Sequence, residues 1–316
     1  MKYVSLHHHS TFSYMDAYGT PAQHVARAVE LGMTALALTE HGNVSSHVGL
    51  EKAALKADIK PIFGLEAYTA LEPKSDRKCH LTLLAMDQDG YANLMRLCTR
   101  SWAEGFHKWP TVLGPMLRDH HEGLIVLSGC SDSLLACSLL GGKMIDPKDA
   151  SEARAIDLAG RMKDLLGDRF YLECQVFPEL DRSVEINETY EALGEQLDIQ
   201  LVATSDVHTL LPGQSEMRAL LHAAGRGTNS IAQQLSSWEY DVPDYPPLSD
   251  TNVLDDDGAV VTEGIWERAL RAGLSEDGAR QALRNTGVIA GRCNVTLPKA
   301  ARFRFAGTES DRRWNE

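Results

Sequence analysis

The strongest constraint on the fold is a repeated alternation of short apolar runs with helical patterns. Seven β-rich runs, at residues 3–7, 35–39, 61–68, 81–86, 124–128, 170–176 and 201–205, occupy the first two-thirds of the chain. Most are nearly continuous in apolar residues, as expected of strands buried on both faces of a parallel sheet. Helical patterns separate them. One begins at Thr20-Pro21, an N-cap followed by Pro, and stops at Gly32; others cover 48–57, 91–103, 133–140, 150–166 and 183–197. This order predicts a parallel α/β domain. Seven units suit a barrel one strand short of the usual eight, and a doubly wound open sheet is the alternative.

The pattern changes after residue 210. A helix is expected at 215–224, and 236–258 is polar and acidic (Asp255-Asp256-Asp257) with little periodicity, as in a loop. Helices are expected again at 265–272 and 276–292, an extended stretch at 293–298, and no core at 306–316. The resulting division is a barrel over 1–225, an irregular polar insertion over 226–264 and a helical extension over 265–316. The 316 residues carry a formal charge of −13, and the 31 Lys and Arg form no basic stripe, so tight autonomous binding of nucleic acid is not expected. Divalent cations would offset part of that charge inside a cleft. No apolar run approaches the roughly 18–20 residues that span a membrane. The first residues are not expected to form an export signal, and the six Cys (79, 98, 130, 137, 174 and 293) are scattered, which points to reduced thiols in a cytoplasm.

The chemistry gathers at the strand ends. His7 and His9 close the first run; two apart on a strand, they face one side while His8 faces the other. Their place after a strand argues against a tag remnant. Thr39-Glu40-His41-Gly42 ends the second run, Glu66 lies late in the third, Cys130 follows the fifth, and Asp206 and His208 follow the seventh. An α/β barrel keeps its reacting groups at this end. Asp16, in the loop after His9, and His80, at the start of the fourth run, fit this logic less well. Imidazole with carboxylate suits Zn, Mn or Fe, and a thiolate leans toward Zn. These candidates exceed the four ligands of a structural Zn site, so two or three divalent ions are expected, of the kind that clamp a phosphoryl group.

These residues, in this order, resemble the PHP (polymerase and histidinol phosphatase) family. His7-His8-His9-Ser10, Thr39-Glu40-His41-Gly42, Gly64-Leu65-Glu66 and Asp206-Val207-His208 are similar to its successive motifs. The segments 12–16, 123–130, 201–208 and 292–298 are similar to the branch at the N-terminus of bacterial DNA polymerase III alpha subunits, the C-family replicative polymerases. The resemblance implies a distorted seven-stranded barrel. It implies one ion held by His7, His9, Glu66 and Asp206, a second by Glu66, His80 and Cys130, and a third by Asp16, His41 and His208. It also implies a 3′→5′ exonuclease of proofreading type acting on a DNA 3′ end, alongside a polymerase palm or other replisome subunits. No palm carboxylate trio follows in this chain. A phosphatase of histidinol-phosphate type and a catalytically silent metal-stabilised module are the alternatives. Where relatives have an aromatic-rich segment ending Lys-Pro-Arg, this chain reads Gly105-Phe106-His107-Lys108-Trp109-Pro110, and Lys108 is the candidate substrate contact.

Overall fold

The computed structural model describes residues 2–226, 230, 232–233, 246–254 and 257–299. The expected insertion at 226–264 falls partly outside these residues, and the coreless stretch at 306–316 wholly outside them. The fold is mixed α/β, a curled sheet wrapped by helices. Strands β1 (Ala35–Leu38), β2 (Lys60–Thr69), β3 (Cys79–Ala85), β5 (Leu124–Leu127), β6 (Phe170–Gln175) and β7 (Gln200–Thr204) pair in the order β1-β2-β3-β5-β6-β7, and a short β4 (Thr111–Val112) pairs with β2. Helices α1 (Pro21–Glu30), α2 (His47–Lys56), α3 (Gln88–Ala103), α4 (Gly114–Asp119), α5 (Leu134–Leu140), α6 (Glu152–Leu166) and α7 (Asp181–Leu197) fall between strands. Then come α8 (Ser215–Arg226), a hairpin of β8 (Val253–Leu254) and β9 (Val260–Thr262), α9 (Ile265–Arg271) and α10 (Glu276–Arg292). Thr20 caps α1 in a reciprocal capping box with Gln23.

The first expected strand departs from regular geometry. Residues 3–9 make only isolated parallel bridges, Ser5 with Leu36 and His8 with Val207. Several of its amides bond side chains instead of a neighbouring backbone: Val4 N donates to Thr286 Oγ1 at 3.2 Å and His8 N to Thr39 Oγ1 at 2.9 Å. The segment nevertheless spans from β1 to the end of β7, with His9 N donating to Val207 O at 2.8 Å, and so closes the curl.

The sheet is also not all parallel. β3 runs antiparallel to both β2 and β5. The connection between β2 and β3 is a loop at 70–78 with no helix, and a parallel pairing would need a longer crossover. Reversal places the start of β3 beside the ends of its neighbours, with His80 opposite Tyr68. That accounts for His80, which looked misplaced at the beginning of a strand.

Burial on both faces explains the continuous apolar runs. Leu36, Leu38, Phe63 and Leu83 belong to an outer core with the helices, whereas Ala35, Ala37, Ile62, Leu84, Ile125 and Val202 form an inner layer with Ile289 and Cys293. Helix α10 seals the edge of β7: Gln281 accepts from Leu201 N at 2.9 Å and Asn285 donates to Leu201 O at 2.7 Å. Lys60, at the start of β2, donates to Ala290 O at 2.6 Å. The extension therefore covers the end where the parallel strands begin and leaves the other end for chemistry.

His47, at the start of α2, is buried and donates from Nε2 to Gly64 O at 2.9 Å. Burial pushes its imidazole down to about 4. The unfolded chain then binds the proton more readily, so this contribution to stability is intact above the ordinary His value and is lost as pH falls toward 4. Between pH 7 and pH 5 it amounts to about 2 kcal/mol. His47→Gln keeps a donor for Gly64 and is expected to flatten the fall in melting temperature over that range; an unchanged slope would discount His47.

Candidate metal centre

Each strand walks from an apolar inner layer to a polar tip, two residues at a time. On β2 the sequence is Ile62, Gly64, Glu66; on β6 it is Tyr171, Glu173, Gln175; from β7 it is Val202, Thr204, Asp206. On the reversed β3 it runs backwards as Leu84, Thr82, His80. The N-terminal segment changes parity, since Leu6 packs in the inner layer while His7 and His9 both reach the tip, and regular pairing is interrupted there. His8 points away: its ring bonds Ser5 Oγ at 2.9 Å and His24 Nδ1 at 2.7 Å.

All nine expected ligand residues lie in this one cluster. Glu66 is its hub. Oε1 is 3.2 Å from His7 Nε2 and 2.9 Å from His80 Nδ1, and Oε2 is 3.5 Å from His9 Nε2 and against His41 Nδ1. Asp206 Oδ1 is 3.2 Å from His7 Nε2 and 3.3 Å from His9 Nε2. Asp16 Oδ2 faces His41 Nε2 at 2.8 Å and His208 Nε2 at 3.4 Å. Cys130 Sγ is 3.5 Å from His80 Nδ1. Three overlapping sets, His7–His9–Glu66, His41–Glu66–His80 and His9–His41–His208, keep their donor atoms within 4.8 Å of one another. The last set draws His9 toward His41 and His208, a sharing not contained in the three-way division above. Asp206 takes a φ of +41°, a left-handed backbone that is rare for a residue other than Gly.

The donor atoms fit cations. His7 Nε2, His9 Nε2, His41 Nδ1, both Glu66 oxygens and Asp206 Oδ1 are buried and lie close together, yet none makes a hydrogen bond of ordinary geometry. Lone pairs that converge on a common point, without aligning on each other, are the arrangement an ion requires. The outward ring nitrogens are anchored. His7 Nδ1 pairs with Glu173 Oε1 at 2.5 Å, His9 Nδ1 with Ser13 Oγ at 2.8 Å, and His208 Nδ1 donates to Asp206 O at 2.7 Å. Ser13 in turn donates to Glu40 Oε2 at 2.6 Å. These partners fix tautomers that turn the opposite nitrogen toward the cluster.

The electrostatics agree. Burial depresses the His7 imidazole, but Asp206, Glu173 and Glu66 outweigh it and hold it well above its ordinary value. Burial likewise opposes charge on His41, yet Glu66 and Asp16 raise it to about 10. Burial disfavours charge on Glu66, and His80, His41 and His7 overcome this to hold the carboxyl well below its usual range. Burial, with Glu66 and Asp206, pushes the Cys130 thiol up. Protons balance the negative charge here, and a bound divalent cation would replace them.

Sequence reasoning missed three members. Glu173 accepts from Thr204 Oγ1 at 2.7 Å, Thr82 Oγ1 at 3.1 Å and Gly129 N at 3.1 Å, besides holding His7. A charged residue amid an otherwise apolar run, two before Gln175, was the available signal. Arg218 and His222 of α8 hold Asp16 Oδ1 at 2.8 and 2.5 Å; nothing in an amphipathic helix marks them. Lys108, the expected substrate contact, is half exposed and pairs with Asp76 at 2.9 Å.

Comparison with known proteins bears on this geometry. A model of the PHP domain matches residues 5–176. The chain belongs to the PHP domain family. It is 36% identical over 221 residues to DNA polymerase III subunit alpha of Thermus aquaticus, covering 66% of this chain and 17% of that protein. It is 33% identical over 231 residues to the subunit of Chlamydia trachomatis, covering 67% and 19%. The match thus spans less than a fifth of these relatives. A solved amidohydrolase from Chromobacterium violaceum aligns at 15% identity over 67% of this chain and 88% of that one, with a TM-score of 0.35, too low to carry weight. Among the described residues no helix is long and apolar enough to cross a membrane.

Metal-stripped protein is expected to take up more than one Zn or Mn ion per chain, read by equilibrium dialysis with elemental analysis. Glu173→Gln, which weakens the hold on His7, should lower affinity about 10- to 100-fold. Unchanged uptake would show that His7 needs no such anchor.

Proposed function

We propose that this PHP domain is a metal-dependent phosphoesterase that removes nucleotides from a DNA 3′ end, a 3′→5′ exonuclease of proofreading type. The observation that supports it most is the set of buried donor atoms converging around Glu66 without hydrogen bonds of ordinary geometry. His7, His9, Glu66 and Asp206 would hold one ion, Glu66, His80 and Cys130 a second, and Asp16, His41 and His208 a third. Such ions, Zn, Mn or Fe by their donors, would supply Lewis-acid polarisation of the phosphoryl group and neutralise the charge that builds on it. DNA as substrate follows from the relatives, which are polymerase subunits by name.

The chain's own residues position and shield. His7 and His9 are fully buried, whereas His41, Asp206, His80 and Asp16 keep 12–20% side-chain exposure, so the cluster opens on one side. Glu173 and the Ser13–Glu40 pair hold the two inner imidazoles in place, which limits reorganisation during reaction. Arg218 fixes Asp16 and adds a guanidinium beside it. The reaction is hydrolysis of a phosphodiester: water adds to phosphorus and the 3′-oxygen of the preceding nucleotide leaves with a proton.

A labelled primer strand is expected to shorten from its 3′ end with the metal-loaded chain. His9→Ala should reduce the rate on the order of a hundredfold or more. Protein that carries ions and leaves every strand intact would overturn the exonuclease reading. In that case rapid turnover of a small phosphomonoester would favour a phosphatase, and chelation that unfolds an inert protein would favour a structural module.

A further inference from the structure

A cation and an aromatic surface adjoin the metal cluster on its open side. Tyr68 stacks on His41 with ring centroids 5.8 Å apart and an interplanar angle of 16°, and it lies 5.3 Å from His80. On Tyr68 sits the ammonium of Lys78, 3.6 Å from the ring centroid and 4.7 Å from that of Trp109. Among the described residues no carboxylate pairs with Lys78, in contrast to Lys108 nearby. Burial lowers this ammonium to about 8, which leaves it charged at neutral pH, and two π-faces steady it for an incoming anion. It is partly exposed and so open to one.

The surface continues outward. Trp102 donates from Nε1 to Gly42 O at 2.8 Å, which ties it to the loop that carries His41. Phe106 stacks on Trp102 with centroids 5.4 Å apart and planes 13° from parallel, and each is 51% exposed. Gly42 has φ +62°, and a Cβ there would meet Pro110 at 2.7 Å and the Tyr68 ring at 3.2 Å. Gly at 42 therefore lets the indole, the Tyr68 ring and the 109–110 turn close into one wall beside the cluster. Two large rings held parallel and half in water contribute little to folding, but their open faces match an unstacked base.

We propose that a single-stranded nucleic acid reaches the metal centre along this wall, with a backbone phosphate held by Lys78 and bases stacked on the Trp102–Phe106 pair. The inference rests on the phosphodiesterase reading for its direction, since the strand leads to the cluster. It favours a single strand over a duplex, whose base faces are already stacked.

The test measures binding of a fluorescein-labelled oligothymidylate with uncleavable phosphorothioate links to the metal-loaded full chain, by anisotropy at low salt and by quenching of Trp fluorescence. Wild type should bind and be quenched. Lys78→Gln and Phe106→Ala should each weaken binding about tenfold. Lys78→Gln should also reduce the salt slope by about one, and Lys78→Arg should restore both. Phe106 makes no bond to the His41 loop, so its variant keeps the test open if Trp102 variants misfold. Variants that melt like wild type and bind like wild type would overturn the wall, as would duplex binding as tight as the single strand. Hydrolysis of bis(4-nitrophenyl) phosphate by wild type is followed in parallel. If that fails in every metal while strand binding responds as expected, the phosphodiesterase reading falls and the wall stands. If it succeeds while strand binding is absent, the wall alone falls.

Discussion

One buried carboxylate organises this domain. Glu66 is 1% exposed and touches four imidazoles, from His7, His9, His41 and His80, that arrive on three different parts of the chain. A lone carboxylate at that depth would cost several kcal/mol. It is tolerable only because the barrel brings compensating groups to both oxygens. The same requirement fixes the curl of the sheet: the N-terminal segment must reach the tip of β7 for His7 and His9 to face Glu66, and the His8–Val207 bridge secures it there. The curl of the sheet and the assembly of the site therefore depend on the same contacts.

The reversed strand serves the same centre. In an all-parallel barrel, the strand following β2 would deliver its C-terminal residue to the site. Here the short 70–78 loop turns the chain straight back, so the N-terminal residue of β3 does that work and His80 arrives opposite Tyr68. The reversal also brings Lys78, at the end of that loop, onto the Tyr68 face. A hairpin thus gathers two candidate ligands, Glu66 and His80, an aromatic platform and a cation within fifteen residues of sequence, whereas the other candidate ligands come from segments elsewhere in the chain.

What could be read from the sequence follows periodicity. The strand and helix order was legible because both-face burial leaves continuous apolar runs, and the strand-end rule then isolated His7, His9, His41, Glu66, Cys130, Asp206 and His208 without any knowledge of pairing. Direction was not legible: apolar runs look the same parallel or antiparallel, so His80 was placed by family resemblance alone. The parity change after Leu6 was hidden for a related reason, since it depends on side chains of Thr39 and Thr286 replacing ladder bonds. Glu173 carried a local signal, a carboxylate inside an apolar strand. Arg218, His222 and Lys78 carried none, because a surface cation and a site cation have the same sequence appearance until the fold brings a carboxylate or a ring beside them.

The net charge of −13 bears on how such a site can work. At about 0.1 M salt, exposed charges are screened beyond roughly 10 Å, so a distant acidic surface scarcely alters the field at the cluster. Locally the balance is different. Divalent cations among the ligands, with Arg218 and Lys78 nearby, would make the open side attractive to a phosphate, while the rest of the surface offers a nucleic acid little. Affinity would then be concentrated at the strand terminus and shared between the phosphate contact and stacking. On the proposed reading, a strand without a terminus at the metal centre would be held only weakly.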